Sequence, residues 1–243
     1  MSILASTIIG YARTILQDNG STKRWSDAEL LAWLNMGQDQ IVALKPDVSS
    51  VITPFKLTAG KTKQNLPDGS NSYKDPLGVA QKKGIQLLDI TRNMGTDGDT
   101  PGKSISIIDR VLLDQVSPKW HYFERANIIE HFVYSEKYPL IFYVCPGAHS
   151  SIQTWVELVY VAKPDTMAAT SDAIDIPDEY ESILLDYILF RAYSKSSDSA
   201  VHMNKAGLYY EAFVTALGSK VKTEFALDPN NLLSTPSVSV RRT

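Results

Sequence analysis

The segment that most narrows the possible folds is IPDEYESILLDYILFRAYSKS, residues 176–196. Pro177, Asp178 and Glu179 suit a first helical turn, where a missing N–H is harmless and negative charge meets the positive end of the helix dipole. The next two turns are apolar almost all round: Ile183, Leu184, Leu185, Tyr187, Ile188, Leu189 and Phe190. Such a helix cannot keep one broad face in water, so it must be packed on several sides.

Helical neighbours stand near both ends of the chain. After SKSSDS, a partner helix carries Ala200, Met203, Ala206, Tyr210, Phe213 and Leu217 at helical spacing, and Gly218 is the expected stop. Upstream lies RWSDAELLAWLNMGQ, residues 24–38. Ser26 is placed to cap this helix and Glu29 to reach back to the cap, while Asp27 adds charge suited to the first turn. Leu30, Leu34, Ile41 and Leu44 then line one face, widened by Leu31 and Trp33, and Pro46 ends the helix after Lys45. The stretch MSILASTIIGYARTILQ is apolar but lacks a basic start and is interrupted by Arg13. Ile8, Ala12, Ile15 and Leu16 follow helical spacing, so it reads as a short helix rather than a signal peptide. The expected cap and core residues are thus Ser26, Glu29, Leu30, Leu34, Ile41, Leu184, Tyr187, Ile188, Tyr210 and Phe213.

The middle of the chain speaks in a period of two. VITPFKLTAGKTKQNLP reads as two short strands around a turn at residues 58–61, and IEHFVYSEKYPLIFYVC as a hairpin turning at Glu136–Pro139. In IQTWVELVYVA, Val156, Leu158, Tyr160 and Ala162 share one face, and both faces look covered. The order helices, strands, helices predicts an α+β fold. Residues 1–48 and 176–220 form a helical bundle, residues 49–175 an inserted β-rich domain, and residues 221–243 an extended C-terminal tail.

Catalytic patterns are weak wherever they are sought. AGKT, residues 59–62, lacks the earlier Gly and the following helix of a phosphate-binding loop. Cys145 and His149 flank a Pro-Gly turn with no third group to orient them, and a small apolar Cys ending a buried strand is the simpler reading. His121, His131, His149 and His202 show no metal-ligand spacing. The twelfth position from Asn93, where a calcium loop needs a bidentate Glu, is Ser104. No catalytic, cofactor-binding or metal-ligating residue is therefore assigned, and no cofactor is expected. The net charge of −3 lacks the basic excess of a nucleic-acid binder. A single cysteine excludes an internal disulfide, and no apolar run reaches the roughly 18–20 residues that span a bilayer. By contrast, 4 Trp and 12 Tyr in a chain without a catalytic constellation suit a subunit that presents aromatics at interfaces.

Taken together, RWSDAELLAWLNMGQ with ALKPD closing its helix, GIQLLDITRNMG, DRVLLDQVSPKWH, and IPDEYESILLDYILFRAYSKS followed by AGLYYEAFVTALGSK resemble the head-to-tail adaptor (head-completion, connector) proteins of tailed bacteriophages, particularly those of short-tailed phages. The segments occur in that family's order over roughly residues 24–220, and the likeness rests on their co-occurrence. It implies a structural virion protein of the neck, assembled in the host bacterial cytoplasm. Copies of the chain, expected to be twelve, would form a ring between the portal protein and the tail nozzle or tail tube protein. The ring would extend the DNA channel, with DNA passing through the lumen without sequence-specific binding and no membrane involved. By the same resemblance the C-terminal segment docks on the portal, which makes Leu232, Leu233, Val238, Val240, Arg241 and Arg242 the candidate docking residues. A ring requires a heterologous contact, one face of each copy against a different face of the next.

Two other readings stand beside this one. AGLYYEAFVTAL resembles the second helix of a tetratricopeptide unit, which would make the chain a helical protein-binding module, although no second copy occurs at a 34-residue period. A hydrolase using Cys145 is the other, and it requires the thiol to be accessible and activated.

Overall fold

The computed structural model describes residues 3–196 and 200–227, and among these it shows five α-helices and two small sheets, a mixed α+β chain. Helices α1 (Ala5–Leu16) and α2 (Asp27–Leu44) are followed by strands β1 (Ser50–Lys56), β2 (Lys63–Asn65), β3 (Gly84–Asn93) and β4 (Ser106–Ile107). Helix α3 (Arg110–Val116) leads to β5 (His131–Tyr134), β6 (Ile141–Cys145) and β7 (Trp155–Ala162), and the chain returns to helix in α4 (Glu181–Lys195) and α5 (Ala200–Leu227). One compact unit draws on residues up to Lys45 and from Pro164 onward; the other is Pro46–Lys163.

In the helical unit α4 packs against α1, α2 and α5. It buries Ile183, Leu184, Tyr187, Ile188, Leu189 and Ala192, each of the larger ones contributing about 1.5–3 kcal/mol through removal of apolar surface from water. Toward α5 the contact is aromatic: Tyr187 meets Phe213 at 5.3 Å between ring centroids, Phe190 meets Tyr210 at 5.0 Å, and Tyr193 lies parallel to Tyr209 at 5.6 Å. Toward α2 the contact is close because Gly37 has no side chain. A Cβ there would lie 3.1 Å from both Leu184 Cδ2 and Tyr187 Cδ1.

Arg13 has a different role from the one its place in an apolar stretch implies. Its guanidinium is buried and donates to Asp18 at 2.6 Å, Asp27 at 2.5 Å and the Trp25 carbonyl at 3.0 Å. Asp18 also accepts the Arg24 amide at 2.7 Å. The cluster ties the end of α1, the connecting turn and the first residue of α2 into one hydrogen-bonded unit. Arg13 also holds the Asp27 carboxyl below its ordinary range, with Lys23 adding to the effect.

Several expectations need correction here. The Glu29 carboxylate takes the Lys195 ammonium of α4 rather than serving as the reciprocal arm of a capping box, while Ser26 Oγ does accept the Glu29 amide at 3.2 Å. Ile15 and Leu44 are exposed, since the buried faces of α1 and α2 turn through Ile8, Ala12, Leu30, Leu34 and Ile41. Helix α5 does not stop at Gly218 and runs on to Leu227, so residues 221–227 are helix rather than tail. Lys220 anchors the continuation, pairing with Glu179 at 2.7 Å and standing 4.1 Å above the Tyr180 ring. Residues 164–175 pack with the helices and not with the strands. Asn35 of α2 makes two 3.0 Å hydrogen bonds to the Met167 backbone, and Gln38 accepts the Asp175 amide at 2.8 Å.

In the β unit, β7 is central in the sheet order β1-β7-β3, and a second sheet runs β2-β6-β5-β4. Val156, Leu158, Tyr160 and Ala162 of β7 are fully buried and share one core with Phe55, Leu87 and Ile90 and with Phe132, Phe142 and Val144 of the other sheet. The β5–β6 hairpin forms with His131 opposite Cys145 and Tyr134 opposite Phe142. Strands β1 and β2 flank a turn with Gly60 at φ 70°, but they do not pair with each other, because β1 joins β7 and β2 joins β6. The buried Gln64 amide closes that turn by accepting the Thr58 amide and donating to the carbonyls of Thr58 and Lys61. AGKT is thus a turn closed by a side-chain amide and followed by a strand, not a loop that opens a helix.

The helical unit yields two testable outcomes. Arg13→Ala leaves buried Asp18 without its cation and should cost about 3–5 kcal/mol of unfolding free energy; a urea-denaturation change below about 1 kcal/mol would show that solvent screens the cluster. Burial on α4 raises the Asp186 carboxyl above its ordinary value. Its protonated form therefore favours folding, and that contribution is fully present below the unfolded value near 4 and lost as pH rises through the folded one. Asp186→Asn should melt higher than the parent at pH 7, with the gap closing as pH falls below about 4. A gap that persists at pH 3 would point to packing instead.

Candidate functional site

Helix α3 has an unusual exposure for its composition. Asp109 caps it, accepting the amides of Val111 at 2.8 Å and Leu112 at 3.1 Å, and Pro118 follows its end. Seven residues are too few for a helix to be stable alone, so packing must hold it. That packing uses Leu113, buried with Trp120, Val133 and Cys145, while the Trp120 indole donates to Asp114 at 2.7 Å. Arg110 lies 5.7 Å over the Tyr143 ring. With Leu113 committed inward, Val111, Leu112 and Val116 face solvent, Val116 at 73% exposure, and Tyr122 beyond the helix is 87% exposed.

Beside this helix is a groove of about 760 Å³ lined by Ile107, Ile108, Val133, Tyr134, Tyr138 and Tyr143, with Lys63, Asp109 and Arg110 as its charged members. Ile107 and Tyr138 are themselves exposed. An apolar concavity with a few polar groups, next to outward apolar side chains, is suited to receiving another molecule's side chains.

The same region is poor in reactive groups. Cys145 is buried, and burial pushes its thiol up and away from the reactive thiolate. His149 accepts the backbone amides of Ser151 and Ile152 through Nδ1, which commits it to a turn. The hydrolase reading falls on these two observations. His121 stacks on Trp120 at 3.6 Å, and burial, helped by Arg110, holds its pKa down and keeps it neutral at pH 7. Asp97 caps its own turn by accepting from Asp99 and Thr100, as a solvated turn would. Among the described residues no cluster of three or more His, Cys, Asp or Glu could hold a metal, and no helix is long and apolar enough to cross a membrane.

Of the residues singled out from sequence, Leu30, Leu34, Ile41, Leu184, Ile188 and Phe213 are fully buried and Tyr187 nearly so. Tyr210 is not a core residue: it is 49% exposed, because the buried face of α5 passes through Ala206, Phe213 and Leu217 and leaves Tyr210 at the edge against Phe190. Leu232, Leu233, Val238, Val240, Arg241 and Arg242 lie outside the described residues. Sequence reasoning missed the α3 face. The available signal was DRVLLDQVSP, an Asp cap, a Pro stop and four apolar residues that fewer than two turns of helix cannot all bury.

Replacing Leu112 and Val116 together by Ser should leave the unfolding midpoint within about 0.5 kcal/mol of the parent, as for surface positions generally. Leu113→Ala, one residue along the helix, should cost about 2–5 kcal/mol. Equal losses in the two variants, read by chemical denaturation, would show that the outward face is covered within the chain.

No curated protein matches the chain. The SU10 adaptor protein family matches it over residues 3–234, a span that takes in every described helix and strand. The chain therefore belongs to the SU10 adaptor protein family, a family of structural phage adaptors rather than enzymes.

Proposed function

We propose that the protein is a head-to-tail adaptor of the phage neck, present as a ring, with twelve copies expected, between the portal protein and the tail nozzle or tube protein. The observation that carries this reading is the outward apolar face of α3 beside its groove: Val111, Leu112, Val116, Ile107, Tyr138 and Tyr122 form the kind of surface that a partner covers. On this reading that surface of the β unit receives a neighbouring structural protein. The subunit assembles in the host cytoplasm and remains in the virion. DNA passes through the lumen, for which a chain of net charge −3 is suited because it lacks the basic excess that would hold many phosphates.

The portal contact is assigned to the end of the chain. Helix α5 carries the backbone to Leu227, and LLSTPSVSVRRT supplies apolar residues followed by Arg241 and Arg242, which can pair with carboxylates on a neighbour.

Mass photometry of the full chain with cognate portal rings should show portal-plus-many-subunit species. Deletion of residues 230–243 should reduce co-sedimentation with the rings at least tenfold while leaving the unfolding midpoint unchanged. Equal binding by the truncated chain would remove the tail from the portal contact. Failure of the full chain to bind would remove the portal itself.

A further inference from the structure

Among the described residues the helical unit leaves two uncharged stripes uncovered. On α1 the exposed large side chains are Leu4 at its cap, Tyr11 and Ile15, spaced i, i+7 and i+11. On α5 they include Met203, Tyr210, Val214 and Val221, spaced i, i+7, i+11 and i+18. Residues so spaced lie on one side of a helix. Gly10 adjoins Tyr11, while Gly207 and Gly218 fall within the α5 stripe, and a Cβ at any of the three would meet nothing within 4 Å. The one charged residue of α1, Arg13, is buried in its own ion pairs, so the α1 stripe brings no unpaired charge into a contact.

Both stripes belong to the same compact unit, yet they do not cover each other. Among the described residues α1 and α5 each pack on α4 and scarcely on one another. A chain with two different uncovered stripes on two helices flanking a third can satisfy both at once by a head-to-tail contact. We propose that the α1 stripe of one copy docks on the α5 stripe of the next, Tyr11 and Tyr210 being the anchors and the neighbouring glycines giving room for the facing rings. This names the self-contact of the proposed ring and rests on that reading for its closure. Each stripe amounts to a few hundred Å², below the roughly 800 Å² a side buried by a stable free-standing pair. The free chain should therefore be monomeric at micromolar concentration and join head to tail when a template or high concentration brings copies together.

Cross-linking tests the contact directly. In a Cys145→Ala background, Tyr11→Cys and Tyr210→Cys are made singly and together, with Ile15→Cys and Val214→Cys as a second pair in case a Tyr change disturbs packing. Assemblies on portal rings, and the free chain at high concentration, are treated with a short bis-maleimide. The expected result is no dimer from either single variant, a heterodimer from their mixture, and a ladder of dimers, trimers and higher species from the double variant. Homodimers from Tyr210→Cys alone would overturn the proposal in favour of like-with-like pairing. No cross-link in an assembly whose mass shows many copies would overturn the contact while leaving the ring intact. Should no assembly form on the portal, the ring reading fails, and the ladder at high concentration alone decides the head-to-tail contact: its presence supports it, its absence overturns it.

Discussion

The burial of α4 on more than one side is the constraint on which the helical unit depends. A helix carrying Ile183, Leu184, Tyr187, Ile188 and Leu189 needs apolar cover in several directions, and here that cover comes from α1 and α2 at one end of the sequence and α5 at the other. Joining distant segments costs loop-closure entropy, which grows only slowly with the length of the intervening chain. A β unit of its own, Pro46–Lys163, can therefore occupy the interval without preventing the helices from meeting. Polar side chains then fix the register of the return. Asn35 and Gln38 hold residues 167 and 175 against α2, and Arg13 binds α1 to the start of α2.

Elements with an unbroken period are legible in the sequence, and those whose period is interrupted are not. α2, α4, β7 and the β5–β6 hairpin keep their periods, and sequence and structure agree on them closely. β3 escapes a strand reading, although it is ten residues long. Its pairing with β7 shifts register between Gly84 and Gln86, Leu87 and Asp89, and Ile90 and Arg92, so its buried positions are Gly84, Leu87, Ile90 and Asn93. A period of three in a bulged strand matches neither template. The last of these positions is polar because the Asn93 side chain holds the backbone at Lys103 and Ile129 with three hydrogen bonds.

Helix α5 shows a different limit. Two apolar stripes run side by side along it, one through Ala206, Phe213 and Leu217, the other through Met203, Tyr210 and Val214. Both have helical spacing, so periodicity alone cannot say which faces the core; only the position of α4 decides. Spacing places Tyr210 on the wrong stripe for that reason. On α3 the sequence shows that some apolar residues must face out but not which, since they are ordinary core residues in type and differ only in which of them Trp120 and Val133 cover. A surface built from such residues has no motif, and the family resemblance is carried by several segments in order rather than by any one of them.

The disposition of polar groups bears on how an adaptor binds. Catalytic sites hold titratable groups poised to change state near neutral pH. Here burial raises the Tyr160 phenol to about 12 and the Cys145 thiol as well, so both stay neutral. Buried amides such as Gln64 and Asn93 are occupied in holding backbone. Among the described residues, exposed apolar patches lie on α3 and its groove, on α1 and on α5. Contacts of that size do not hold two copies together permanently, so a subunit can be made in quantity without premature aggregation. Once many copies are aligned, each weak contact forms at a high effective concentration, and the last copy of a closed ring gains two contacts for the ordering cost of one. In the proposed ring, modest patches can then suffice, provided something else sets the order in which it forms.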